Sequence, residues 1–111
     1  MDEITWNDFK KVELRIGTIL EVLPYPEARK AAYKIKADFG TFGIKWSSAQ
    51  ITKLYSPDDL TGRQIIGVIN FPKKQIGKFM SEFLVTGFED ENGDIILAGV
   101  ERPVPNGSKL I

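Results

Sequence analysis

Leu14-Arg15-Ile16-Gly17-Thr18-Ile19-Leu20-Glu21-Val22-Leu23 is the stretch that decides the fold. Leu14, Ile16, Thr18, Leu20 and Val22 fall on one side of an extended chain, which describes a long strand. Gly17 inside it predicts a bulge or a sharp bend of the sheet. Pro24-Tyr25-Pro26 ends the strand, and residues 26–30 form a loop.

Outward from there, the pattern is mostly extended. On the N-terminal side, residues 5–11 predict a short helix, with Thr5 as its cap, Asp8 three residues on, and Trp6 and Phe9 on a shared face. On the C-terminal side, residues 32–39 alternate cleanly. Tyr33, Ile35, Ala37 and Phe39 face inward, while Lys34, Lys36 and Asp38 face out. Gly40 to Gly43 turns the chain into a third strand at 44–50. Gln50 to Tyr55 reads as a short helix or turn stopped before Pro57, and residues 56–62 as turn chemistry. Arg63 to Asn70 predicts a strand buried on both faces, 73–80 a basic loop, and 81–88 another strand. Asn92-Gly93 sits in an acidic hairpin turn that leads to a return strand at 95–100. Five to seven short strands with little helix fit an all-β fold. The specific expectation is an OB-fold Greek-key β-barrel with a short N-terminal helix and a short helix after the third strand. A small open sandwich would give much the same pattern.

The chain has 111 residues, the size of one domain spanning 1–111, and its longest apolar runs are far too short to cross a bilayer. Its start lacks the basic and apolar regions of a signal peptide. A cytoplasmic protein without membrane insertion is expected. With no histidine and no cysteine, the usual general base, the usual nucleophile pairs and thiolate or imidazole metal sites are missing. Acidic pairs occur only in termini and turns, so neither an enzyme nor a cofactor is expected.

The net charge of zero conceals an uneven spread. Residues 29–78 carry ten Lys or Arg against Asp38, Asp58 and Asp59, an excess of seven positive charges that the acidic ends balance. Lys34, Lys36 and Lys45 lie on the strands of the expected binding face, with Trp46 beside them. An aromatic among lysines suits a stacked base or an apolar peptide side chain, and Trp46 fits the core equally. Asn70, Phe71, Lys73, Lys74, Phe79, Met80 and Ser81 interleave basic, polar and apolar groups, which suits unspecific peptide capture. Alternatively, Phe71 and Phe79 fold back and cap the barrel. Arg29 completes the candidate set. Arg15 either pairs with an acid or touches a partner.

Two ordered sets of motifs carry a family resemblance. Asp8-Phe9, Lys11 to Ile19, Tyr55 to Leu60, Gly62-Arg63, Val68 to Pro72 and Pro105 with Gly107-Ser108-Lys109 resemble the tRNA-binding OB domains appended to methionyl-tRNA synthetases. Within that superfamily, Pro26 to Arg29, Asp38 to Thr41, Gly43 to Lys53 and Val104 to Gly107 are most similar to the CsaA-type secretion chaperones. The resemblance implies a homodimer whose contacts involve Trp6, Phe9, Pro105, Gly107 and Lys109. It also implies capture of unfolded preproteins, with the secretion machinery as a further partner. The tRNA-binding branch implies tRNA as the alternative ligand. Ala49-Gln50 and Phe83-Leu84 depart from the tRNA-binding pattern.

Overall fold

The computed structural model describes residues 1–111. The chain runs α1 (Trp6–Lys10), β1 (Leu14–Pro24), β2 (Tyr33–Asp38), β3 (Ile44–Ala49), α2 (Pro57–Leu60) and β4 (Gln64–Val68). Five shorter strands follow: β5 (Lys74–Ile76), β6 (Phe79–Ser81), β7 (Leu84–Val85), β8 (Gly87–Glu89) and β9 (Ile95–Leu97). The main sheet is antiparallel in the order β3-β2-β1-β4-β7 and curls toward closure, so this is an OB-like barrel. Both helices begin with reciprocal capping boxes, Thr5 with Asp8 and Ser56 with Asp59.

Phe39 sits at the centre of the core, fully buried and edge-on to Phe83 at 4.9 Å between ring centroids. Two glycines on the paired strands β1 and β4 make room for it. A Cβ at Gly17 would lie 2.7 Å from the Phe39 ring, and one at Gly67 2.9 Å from it. Gly17 is therefore required for close approach. The bulge lies further along, between Ile19 and Glu21, and makes Leu20 the extra residue. This corrects the expected strand face. The inward residues are Ile19 and, past the bulge, Val22, while Leu20 is exposed. The β2 alternation holds as expected, with Ile35, Ala37 and Phe39 completely buried.

Three segments differ from expectation. Residues 52–54 turn, one of the two readings expected there, and the helix after β3 forms instead at Pro57–Leu60, within the stretch read as turn chemistry, where Ser56 caps it and Pro57 occupies the first turn. The basic loop at 73–80 is the β5–β6 hairpin, closed by a two-residue turn at Gly77-Lys78, with Gly77 at φ 63°. The expected single strand at 81–88 splits into the end of β6, then β7 and β8. Phe83 dives into the core between β6 and β7, and at Gly87 a Cβ would meet Ile95 at 2.6 Å.

The C-terminal segment belongs to the barrel. β2 pairs with β1 from Thr18 onward, leaving the first half of that edge free. Residues 107–110 fill it: Ile16 N donates to Ser108 O (2.9 Å), Gly107 N to Ile16 O (2.7 Å) and Leu110 N to Leu14 O (2.9 Å).

Candidate functional site

The β5–β6 hairpin packs on the barrel and divides its surface into two candidate sites. Strand alternation puts Lys34 and Lys36 on the outer face of β2, and their cross-strand partners Ser48 and Trp46 on the outer face of β3. Phe79 reaches this face from β6. It meets Tyr25 edge-on at 5.7 Å and Trp46 at 6.3 Å. Lys34 Nζ lies 4.6 Å from the Tyr25 ring and 5.3 Å from Phe79, and Lys36 Nζ lies 5.8 Å from Trp46. The lysines thus rest on three aromatic faces, a cation–π arrangement, and neither forms a salt bridge. Trp46 belongs to this half-exposed face and not to the core.

The second site is a groove of about 820 Å³ on the other side of the hairpin. Its walls are the end of β3 with Ala49 and Ile51, the hairpin with Lys74, Ile76 and Ser81, and the β7 segment from Phe83 to Gly87. Phe71, 57% exposed, stands at the rim. The groove exists because β3 and β7 join at one end only. There, Glu82 N donates to Trp46 O (2.7 Å), Trp46 N donates to Glu82 Oε1 (3.0 Å), and Ser47 Oγ donates to Phe83 O (2.7 Å). Beyond Ser47 no backbone bond joins the two strands.

The hairpin sorts the candidate residues that the sequence grouped together. Phe71, Lys74 and Ser81 line the groove. Phe79 faces the barrel, whereas Met80, opposite Gln75, lies on the hairpin's outer face. Lys73 is tied to Glu82 at 3.6 Å. Asn70 is a structural latch: it accepts from Glu13 N (3.0 Å) and donates to Lys11 O (2.6 Å), fixing the α1–β1 connection. Lys45 pairs with Ala37, so alternation places it on the opposite face of the sheet from Lys36 and Trp46. Arg29 is exposed on the β1–β2 loop without an ion pair and does not line the groove.

Arg15 pairs with an acid. Its Nη2 is 3.0 Å from Glu13 Oε2, its Nη1 donates to Gly107 O (3.0 Å), and its guanidinium lies 4.5 Å from the Phe42 ring centroid. Lys109 Nζ reaches the same Glu13 carboxylate at 3.4 Å. Desolvation alone would raise the Glu13 pKa, yet the hydrogen bonds and charges of Arg15 and Lys109 outweigh it and hold the group below the usual carboxylate range. Of the residues expected at a dimer interface, Lys109 and Gly107 thus make contacts within the subunit. Trp6 is 64% exposed and its ring lies tilted against Phe9, 5.4 Å between centroids. Pro105 is exposed, and its carbonyl accepts from Ser108.

Tyr25 was missed by the sequence reading. Its buried ring and its hydroxyl, which donates to Ile76 O, hold the hairpin down. The signal was a tyrosine between Pro24 and Pro26, which reads equally as a strand terminator. Ile76, Val85 and Ile51 were missed as groove walls, because the segments that face one another across the groove are remote in sequence.

A small barrel with an aromatic-cationic face and a half-open seam defines a binding domain. Residues 14–109 match the family model described as "Putative tRNA binding domain", and the chain belongs to that family, which is a binding and not a catalytic domain. The chain is 44% identical to chaperone CsaA from Bacillus anthracis str. Ames, with a TM-score of 0.93 over 99% of this chain and 100% of that one. It is 45% identical to the CsaA chaperone protein from Picrophilus torridus, with a TM-score of 0.91 over 98% of this chain and 100% of that one. It is also 40% identical over 110 residues to methionine–tRNA ligase 1 of Bacillus anthracis, a match covering 98% of this chain and 16% of that enzyme. The chain therefore spans about a sixth of the length of the curated relatives it matches.

Proposed function

We propose that residues 1–111 form one non-enzymatic domain that acts in the cytoplasm as an ATP-independent chaperone, holding unfolded, export-destined polypeptide. The groove carries this reading. It is a preformed, mainly apolar concavity with one exposed aromatic at its rim, on a chain that lacks the usual catalytic groups. Likeness to two CsaA chaperones along nearly the whole chain supports it. Homodimerisation through a surface that includes the exposed Trp6 and Pro105 would present two grooves and raise avidity without new contacts.

A second reading, tRNA binding, is favoured by a different observation. Lys34, Lys36 and Trp46 form an unneutralised cationic-aromatic face on a chain of the tRNA-binding family. Phosphate contacts of that kind release counterions and are salt-sensitive, whereas apolar capture is not. The deciding experiment titrates the purified protein with an unfolded preprotein segment and with tRNA, each at low and physiological salt. Peptide binding that survives salt while tRNA binding fades is the expected result. Tight tRNA binding at physiological salt with no peptide signal would replace the chaperone reading with the tRNA-binding one.

A further inference from the structure

The walls of the groove are strand edges as well as apolar side chains. Thr86 N donates to Ile66 O (3.2 Å), and Thr86 O accepts from Ala98 N (3.1 Å). Backbone groups alternate in direction along a strand, so Val85, one residue earlier, turns its N–H and C=O away from β4 and into the groove. No strand pairs with that side of β7. The opposite wall repeats the situation. Trp46 directs both backbone groups away from β2 to Glu82, so Ser48, two residues on, also points outward. Its N–H meets only the Ser81 hydroxyl and its C=O only the Ser47 hydroxyl, both at 3.3 Å, long for such bonds. The groove thus has under-used donors and acceptors on both sides and apolar side chains at its base.

We infer that the groove takes its ligand as an added β-strand: an extended polypeptide segment that pairs with the Val85 edge of β7 and completes the open seam of the barrel. This deepens the chaperone reading and rests on it. An exposed edge is a template for main-chain hydrogen bonding, which is indifferent to sequence, while alternate side chains enter or leave the groove. Such recognition suits a protein that must hold many unrelated clients, but only while they are unfolded and extended. The one charged residue lining the groove is Lys74, which has no acidic partner. The preferred segment therefore alternates apolar residues inward and carries an acid, not a base, near the hairpin.

The test uses a fluorescent ten-residue peptide that alternates apolar and uncharged polar residues and carries one glutamate. Two further versions have N-methylated amides at either the odd or the even positions. Methylation of the set that faces β7 is expected to weaken binding at least tenfold, and methylation of the other set less than threefold. Binding of the unmodified peptide is also expected to slow hydrogen exchange at the Val85 amide. Equal binding of all three peptides with unchanged Val85 exchange would overturn strand addition, yet leave peptide capture intact. Failure of every peptide, with tRNA still bound, would overturn the chaperone reading and this inference together. A glutamate-to-lysine version of the peptide is expected to bind several-fold more weakly. Equal affinity would remove Lys74 from the specificity argument.

Discussion

Phe71 and Phe79 lie eight positions apart in one basic stretch, yet the structure gives them opposite roles that alanine substitution separates. Phe71 is 57% exposed. A phenylalanine presents about 200 Å², so roughly 110 Å² of Phe71 remains for a ligand to cover. At ~25 cal/mol per Å², complete cover contributes about 2.8 kcal/mol, about a hundredfold in Kd, and half cover about tenfold. Phe71→Ala is therefore expected to weaken capture of an unfolded preprotein segment by between about tenfold and a hundredfold. Its stability should fall by no more than about 2 kcal/mol, because less than half of the ring is packed. Phe79→Ala should do the reverse. It removes the edge contacts to Tyr25 and Trp46 and one of the rings under Lys34, which costs about 1–3 kcal/mol of stability and loosens the hairpin. Fluorescence anisotropy of a labelled segment gives the affinity, and urea denaturation gives the stability. A Phe71→Ala protein with an unchanged unfolding midpoint and less than a twofold change in Kd would refute the groove as the peptide site.

Gly17→Ala should cost about 1–3 kcal/mol through overlap with the Phe39 ring. A Phe39→Leu change in the same chain should recover part of that, and strictly additive energies in a double-mutant cycle would show that the two positions are independent. Glu13 and Asp59 are both held below the usual carboxylate range, Asp59 by the backbone and hydroxyl of Ser56. A depressed folded-state pKa contributes stability above the unfolded-state value that is lost as pH falls through the folded-state one. The urea midpoint should therefore drop on acidification below about pH 4, less steeply in a Glu13→Gln, Asp59→Asn protein. Identical acid slopes would show that these two groups do not drive the loss. Replacing Lys34 and Lys36 by Gln should lower the slope of log K for tRNA against log salt by about two while leaving peptide affinity unchanged. An unaltered slope would exclude this face from phosphate contact.

The elements whose evidence is local were legible in the sequence. The Tyr33–Phe39 alternation, the Thr5 capping box and the Asn92-Gly93 turn each declare themselves within a few residues, and each stands where it was expected. The bulge at Leu20 was misplaced because nothing near it differs from a regular strand, and the extra residue is set by how β2 registers on β1. Gly17 drew attention as the site of a bulge or sharp bend, whereas what it supplies is space for a ring more than twenty residues away. The candidate site was legible as composition but not as arrangement. Reading residues 73–80 as a loop left no basis for assigning faces, and once the segment is a hairpin its period of two separates Phe79 from Met80. The groove itself could not be read, because it is the absence of pairing between strands whose separation only the closed sheet defines.

The pairing of the last residues with β1 has a consequence for how such a unit is joined to others. Lys109 Nζ bonds Lys10 O at 3.2 Å and Leu110 N bonds Leu14 O at 2.9 Å, so the chain enters and leaves the barrel at the same place. A unit with neighbouring ends can be spliced into or onto another polypeptide as a cassette, with both joints on one side and its working surfaces turned outward. In methionine–tRNA ligase 1 of Bacillus anthracis the matching stretch is 16% of the length. An insertion at Gly77-Lys78, in the wall between the groove and the cationic face, should accordingly disturb both, whereas a fusion at either end leaves that wall intact.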